Sequence, residues 1–303
     1  MKLREPSRWM QAEIPLPETT FSGVWATDHG RWYAVGHKGG VWWDGPGNEW
    51  REFRRLRRSS CNAVIEIGDK LYVSCDGKSN LRASSDHGNT WKALKTPVAG
   101  SPYRLEHRNG SLKIVGRNGA AITHDQGETW ELVDDCDVFE TRSGSISMGC
   151  HGVDRFVDGQ WVWAGSAGGY ARMPARPRDM LVRGETVLLS AHSNLLHRSS
   201  DGGKTWDTPV DLGFFPHVMR GHAQHVVAAG NYGNLWCSDD FGLTWNSKEC
   251  YTGYFTALWV GEGGRAIAAG WSGDPVEVDG ELLLGDRKGL VVTRERAPTN
   301  GPT

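Results

Sequence analysis

The chain has 303 residues, a formal net charge of −2, 40 glycines and 15 tryptophans. A near-neutral balance excludes a global field that would draw the protein to nucleic acid or to an anionic membrane. So much glycine between short β-branched runs excludes long helices and suits many short strands joined by turns.

In chain order, the polar start Met1-Lys2-Leu3-Arg4-Glu5-Pro6 is followed by no apolar stretch of signal-peptide or transmembrane length. The expectation is a soluble, cytoplasmic protein without a Sec-type export signal and without membrane insertion. Arg8-Trp9-Met10-Gln11-Ala12-Glu13-Ile14-Pro15 reads as a strand, like Trp91-Lys92-Ala93-Leu94 further on. Arg51-Glu52-Phe53-Arg54-Arg55-Leu56-Arg57-Arg58 follows Trp50 and holds five arginines in eight residues. Next come strands at Asn62 to Ile67, Leu71 to Cys75, Leu81 to Ser85 and Trp91 to Leu94. Near the end, Phe255 to Val260, Arg265 to Ala269 and Gly289 to Arg294 make three more strands, and residues 296–303 read as a tail. The six cysteines, Cys61, Cys75, Cys136, Cys150, Cys237 and Cys250, form no CxxC and no dense framework, so free thiols are the default. Cys61 and Cys75 flank the turn at Gly68-Asp69 as cross-strand neighbours. Two buried thiols are expected there ahead of a disulfide.

Four segments share the pattern S/T-x-D-x-G-x-T-W: Ser84 to Trp91, Thr123 to Trp130, Ser199 to Trp206 and Ser238 to Trp245. Asp86 and Asp125 are 39 residues apart, as are Asp201 and Asp240, and Asp125 to Asp201 is 76, close to two periods. Eroded copies stand at Val157-Asp158-Gly159-Gln160-Trp161 and at Trp43-Asp44-Gly45-Pro46-Gly47-Asn48-Glu49-Trp50. Four short strands per period of about forty residues is the signature of a β-propeller. The reading is an all-β chain, one seven-bladed propeller of four-stranded antiparallel blades over residues 1–295. The blades fall roughly at 17–50, 51–91, 92–130, 131–161, 162–206, 207–245, and 246–294 with 1–16. The last unit lacks a fourth strand, which the N-terminal strand supplies, closing the ring. Six blades is the alternative, with the fragment after Tyr251 as an appendage.

These motifs resemble the Asp-box, or BNR, repeats of sialidases, sortilin-type receptors, xyloglucanases and the photosystem II assembly factor family. The resemblance covers nearly the whole chain through the repeat. It implies a propeller whose boxes lie on the periphery, away from the ligand face. Physical chemistry supports a structural role for Asp86, Gly88 and Trp91, Asp125, Gly127 and Trp130, Asp201, Gly203 and Trp206, and Asp240, Gly242 and Trp245. A carboxylate in a tight hairpin accepts bonds from turn N–H groups, glycine supplies positive φ, and tryptophan buries a large area on the neighbouring blade.

Function is expected at the turns between second and third strands, five of which fit G-x-x-G. Their inner positions carry His37, Lys38, Lys78, Arg117, Asn118, His151, His192, Asn231, Tyr232 and Trp271. Turns are polar simply because they are wet; the functional alternative is a ring of hydrogen-bonding and aromatic groups that receives a ligand or peptide. The basic segment, Arg51, Arg54, Arg55, Arg57 and Arg58, is either a charge-guarded edge strand or a patch for an acidic partner. Without an aromatic platform beside it, nucleic acid is the weaker partner.

The sialidase comparison asks for an Arg-Ile-Pro motif, an arginine triad and a Tyr–Glu pair. The chain has no Arg-Ile-Pro, and nothing in the spacing favours Tyr251 or Tyr254 with Glu249. Asp76 and Asp274 are the acids placed on the turn face, too few and too far apart for a converging glycosidase pair. His217, His222 and His225 lie close in sequence, but on a strand i and i+3 face opposite sides, so no metal site is expected there. No cofactor is expected. The reading is a binding or assembly scaffold that engages a protein, acidic if the arginine strand carries the contact, with a glycan as second ligand class. A phage virion or tail component and a sialidase-like glycoside hydrolase stand as alternatives.

Overall fold

A computed structural model describes residues 9–16, 18–27, 30–45, 49–53, 56, 59–77, 80–98, 100, 102–108, 110–116, 119–133, 137–142, 144–149, 152–158, 160–163, 177–191, 193–231, 233–248, 253–273, 275–278, 281–284 and 288–294. The architecture is all-β, and no α-helix forms among the described residues. The chain divides into two compact units, residues 1–135 with 251–303, and residues 136–250.

The first unit opens with β1 (Trp9–Gln11), β2 (Phe21–Ala26), β3 (Trp32–Gly36), β4 (Gly39–Trp43) and β5 (Arg51–Glu52). It continues with β6 (Cys61–Ile67), β7 (Lys70–Cys75), β8 (Leu81–Ser84), β9 (Lys92–Leu94), β10 (Arg104–Arg108), β11 (Ser111–Gly116), β12 (Gly119–Thr123) and β13 (Glu131–Val133). The second unit holds β14 (Asp137–Thr141), β15 (Gly144–Gly149), β16 (Gly152–Val157), β17 (Gln160–Trp163), β18 (Pro177–Arg183), β19 (Thr186–Ala191), β20 (Leu195–Ser199), β21 (Val210–Asp211), β22 (Pro216–His222), β23 (His225–Gly230), β24 (Leu235–Ser238) and β25 (Asn246–Lys248). The chain returns to the first unit with β26 (Tyr254–Val260), β27 (Ala266–Ser272), β28 (Pro275–Val278), β29 (Glu281–Leu284) and β30 (Lys288–Arg294).

Among the described residues these strands form seven four-stranded antiparallel sheets, four in the first unit and three in the second. Six are simple meanders. The remaining one has the order β1-β30-β27-β26, so the N-terminal strand supplies its outer edge, with Trp9 opposite Arg294 and Gln11 opposite Val292. In five of the six meanders the outer strand begins after the closing tryptophan, while β17 contains Trp161; these sheets end at Glu52, Leu94, Val133, Trp163, Asp211 and Lys248. The expected blade limits cut five of these meanders before that strand and the remaining one within β17.

In six of the seven sheets the second strand is the most buried. β3, β11 and β27 are covered over most of their length, as are β7, β19 and β23. A strand covered on both faces loses the polar alternation of a half-buried one and reads as a continuous apolar run. Outer strands of two or three residues, such as β5, β9, β13 and β21, are largely exposed and too short to template another chain. Side chains interlock between neighbouring sheets. Tyr33 of β3 stacks on Phe53 at 6.0 Å, and Phe53 meets Trp91 edge-on at 5.8 Å. Phe53 is 2% exposed, and a buried phenylalanine is worth about 2–3 kcal/mol.

Five first strands carry a bulge at the same place, between Phe21 and Gly23, Cys61 and Ala63, Pro177 and Asp179, Pro216 and Val218, and Phe255 and Ala257. The extra residue leaves the ladder and turns toward a neighbour. Ser22 Oγ donates to the Cys61 carbonyl at 2.7 Å, and Thr256 Oγ1 to the Phe21 carbonyl at 2.6 Å, so both bulges stitch adjacent inner strands. In the second unit Arg178 donates to His217 Nδ1 at 3.2 Å across the corresponding pair.

The bulge brings the second strand close, and this explains the first glycine of three of the five G-x-x-G turns. A methyl group added at Gly36, Gly230 or Gly270 would overlap the carbonyl oxygen of Thr20, Phe215 or Tyr254. In the second sheet Cys75 occupies this slot opposite Cys61, with Cα atoms 3.9 Å apart, and the two form a disulfide. Two thiols were the first expectation; closeness of the backbones at the bulge favours the bond. Cys237 is buried, and Cys136, Cys150 and Cys250 lie outside the described residues.

Two measurements test this packing. Deleting residues 1–16 removes β1, exposes the edge of β30 and forfeits the burial of Trp9, which is 3% exposed. Denaturant melts of the truncated chain should lose at least about 3 kcal/mol; a melt equal to the full chain's contradicts the pairing. Alkylation of the denatured, unreduced protein should leave Cys61 and Cys75 unmodified by mass spectrometry. Reduction should lower stability by up to about 3 kcal/mol for a loop of this size.

Candidate functional site

Antiparallel meanders put two kinds of turn at opposite ends of every sheet. The four box turns sit between third and fourth strands, after β8, β12, β20 and β24. Their geometry repeats. Asp86 Oδ1 accepts from the Thr90 N–H at 2.8 Å and from Ser84 Oγ at 2.7 Å, while Oδ2 accepts from Thr90 Oγ1 at 2.6 Å. Asp125, Asp201 and Asp240 make the same set with Thr129 and Thr123, Thr205 and Ser199, and Thr244 and Ser238. The hydroxyl at the first position in turn accepts from the amide of the box glycine, at 2.7 or 2.8 Å in all four turns.

Those glycines have φ between 81° and 98°, where a side chain is strained. Each also lies against the preceding sheet: Gly88 on Phe53, Gly127 on Leu94, Gly203 on Ile146 and Gly242 on Leu188. The tryptophans pack into the same seams, Trp91 beside Phe53 and Leu71, Trp130 beside Leu94, Trp206 beside Ile146, and Trp245 beside Leu188. The box carboxylates therefore serve local turns, one per sheet, and share no pocket.

At the opposite strand ends of the first unit lie His37, Lys38 and Trp271. His37 and Lys38, both exposed, cap β3 and β4. Ser60 Oγ lies 3.1 Å from His37 Nδ1 and donates to the His37 carbonyl at 3.2 Å. Lys38 pairs with Glu18 at 2.7 Å, its side chain 46% exposed and that of Glu18 81%. That bond and the charge of Lys38 hold the Glu18 carboxyl below its usual range. Asp76 is exposed after β7 and receives Asn62 Nδ2 at 3.4 Å. Trp271 was read as a turn residue. It sits inside β27, because the turn is replaced by a hairpin of β28 and β29 and the ladder runs on to Ser272 opposite Lys288. Trp271 stacks on Tyr254 at 4.4 Å. Residues missed by sequence reasoning are Glu18, Ser60 and Tyr254, none in a repeat motif; Tyr254 had been weighed only as a nucleophile.

In the second unit Asn231 is 7% exposed, and its Oδ1 accepts from the Phe215 N–H at 2.8 Å, so it braces its own loop. Lys78, Arg117, Asn118, His151, His192 and Tyr232 lie outside the described residues, as do Asp274, Tyr251 and Glu249. His222 and His225 were expected on opposite faces of one strand. They face each other across the β22–β23 turn, and His225 Nδ1 lies 2.7 Å from Asp239. Within the basic segment, the Arg51 guanidinium covers the Trp42 ring at 5.2 Å, while Arg54, Arg55, Arg57 and Arg58 lie outside the described residues.

No family model matches the sequence, and no curated protein matches it. Solved structures do match. YCF48 bound to D1 peptide is similar with a TM-score of 0.66 at 16% identity, over 95% of this chain and 97% of that one. A Staphylococcus aureus virginiamycin B lyase with quinupristin gives 0.64 at 11% identity, over 95% and 99%. The WD40 β-propeller domain of Doa1 gives 0.64 at 9% identity, over 95% and 97%. The fold is a β-propeller. Identities this low carry the fold and leave function to the site. Within the first unit, the boxes after β8 and β12 lie at the strand ends opposite to those that carry His37 and Trp271. No helix among the described residues is long and apolar enough to cross a membrane.

The box bonds have a pH signature. The Thr90 hydroxyl and amide and the Ser84 hydroxyl pull the Asp86 carboxyl from 3.8 to about 2. Thr129 and Thr123 lower Asp125 in the same way. At Asp201 and Asp240 partial burial pushes upward, and the bonds from Thr205 with Ser199, or Thr244 with Ser238, outweigh it. A carboxyl lowered by folding stabilises above its unfolded pKa and loses that contribution as pH falls through its folded one. The melting temperature should therefore hold from about pH 7 to 5 and fall between about pH 4 and 2. Asp86→Asn with Asp125→Asn should flatten that fall; an unchanged acid limb contradicts the assignment.

Proposed function

We propose that the protein is a non-catalytic binding scaffold. Its seven sheets serve as blades, and its boxes are Asp-box turns kept for architecture. It holds a segment of a partner protein against the strand ends that carry His37, Lys38, Tyr254 and Trp271. The observation that carries the reading is the Tyr254–Trp271 stack, half-buried and 4.4 Å between centroids, at the same strand ends as the exposed His37. Aromatic surface beside polar donors suits peptide recognition. The Lys38–Glu18 pair is exposed and so contributes little on its own, which leaves both charges exchangeable for those of a partner. The structural likeness to YCF48 bound to D1 peptide supports a peptide as the ligand class. The arginine segment after Trp50 is proposed as a second arm for an acidic stretch of the same partner.

A tagged chain purified from its native host should retain a discrete protein. Combining His37→Ala with Trp271→Ala should cut its recovery at least tenfold without moving the melting temperature by more than a few degrees. Equal recovery from the variant, or turnover of a fluorogenic sialoside or a β-glucan by the pure protein, contradicts the reading.

A further inference from the structure

The first sheet has lost its box, and a groove stands in its place. Counting back from the closing tryptophan, Trp50 matches Trp91, Glu49 matches Thr90, Gly45 matches Asp86, and Trp43 matches Ser84. The carboxylate and both hydroxyls that close the other turns are therefore absent here. Asp44, next to the vacated position, pairs instead with Arg31 at 2.9 Å. The repeat has exchanged its internal bonds for a second tryptophan and an acid.

These residues border a cavity of about 590 Å³ within the first unit, between the end of β4 and the segment that follows β1. That volume lies within the range of small-ligand sites. Trp43 and Trp50 are half-buried and stack at 6.4 Å with their planes 22° apart. Trp32, 1% exposed, backs Trp43 edge-on at 5.2 Å. Among the described residues the charged lining groups are Glu13 and Glu49, with no lysine, arginine or histidine. Both acids are exposed, and neither has an ion pair or hydrogen bond to another described residue. The cluster already attracts a cation from its own chain: the Arg265 guanidinium lies 5.7 Å from the centre of the Trp32 ring.

We propose that this groove binds an organic cation of the alkylated-ammonium class. Tryptophan faces attract a cation through the ring quadrupole, most strongly when the cation sheds water easily, as a methylated ammonium does. The two carboxylates supply countercharge. A neutral sugar would use the rings and leave both charges unanswered, which argues for the cation. The same chemistry arrives as a free small molecule or as a methylated lysine in a peptide. The site lies at the box end of the sheets, remote from His37 and Trp271, and does not rest on the function proposed above.

Calorimetric titration of the full chain with choline, with a trimethyl-lysine peptide, and with a neutral cello-oligosaccharide separates the outcomes. Saturable binding of choline supports the proposal with a free ligand as source. Binding of the peptide alone supports it with a protein as source. Glu13→Gln with Glu49→Gln, two exposed changes that leave the packing intact, should weaken binding at least tenfold. Trp43→Ser, which restores the residue found in the other boxes, should abolish it. His37→Ala with Trp271→Ala should bind the cation as the parent does. Absence of saturation for both cations into the high-millimolar range overturns the proposal. So does oligosaccharide binding in place of the cations, or unchanged affinity in the double glutamine variant.

Discussion

A hairpin as tight as the one between third and fourth strands leaves backbone donors that no ladder reaches, and an aspartate two residues past a hydroxyl takes them up. The carboxylate holds the threonine amide and hydroxyl. The serine or threonine hydroxyl holds the glycine amide, and the glycine turns with positive φ onto the sheet before it. The turn thereby fixes two things together: its own shape and the spacing between successive sheets. Phe53, Leu94, Ile146 and Leu188 receive the box glycines with no room for a methyl group. The tryptophan that ends each motif fills the same seam. Local hydrogen bonding and intersheet packing are one arrangement here, which is why the motif repeats with so little drift.

Much of this was legible in the residues. The recurrence of Asp86, Asp125, Asp201 and Asp240 revealed a four-stranded unit, and the apolar run from Leu71 to Cys75 located one of its strands. The likeness of Trp9 to the post-box tryptophans revealed the strand that completes the last sheet. The bulges were not legible, because a one-residue register shift leaves no mark in hydrophobic periodicity. With them were hidden the stitching roles of Ser22 and Thr256 and the reason for Gly36, Gly230 and Gly270. The Cys61–Cys75 bond was hidden for the same reason: its closeness comes from the bulge and not from the spacing along the chain. At the turn end, Trp271 was found as a residue type and misplaced as to element, because the inserted hairpin lengthens β27. Tyr254 was missed as its partner, since stacking between first and second strands depends on a register that sequence does not display.

The two ends of the sheets carry different burdens. At the box end, polar groups are spent on one another, and the acids are held ionised by their own turns. At the turn end, Gly36, Gly230 and Gly270 are fixed by close backbone approach, and beside them His37 and Lys38 are exposed, Trp271 is half-buried and Asn231 is buried. Where a box has decayed, as at Trp43 to Trp50, the restriction lifts and the freed positions acquire surface chemistry of their own.

The most direct measurement is amide hydrogen exchange at Gly88, Gly127, Gly203 and Gly242, whose N–H groups donate to buried hydroxyls at 2.7 or 2.8 Å. If the boxes hold the sheets together, these amides should exchange as slowly as those of β7, β11, β19 and β23, through opening of the sheets themselves. Exchange at the rate of exposed loops, with the strands still protected, would show that the turns are ornaments on an architecture held by something else.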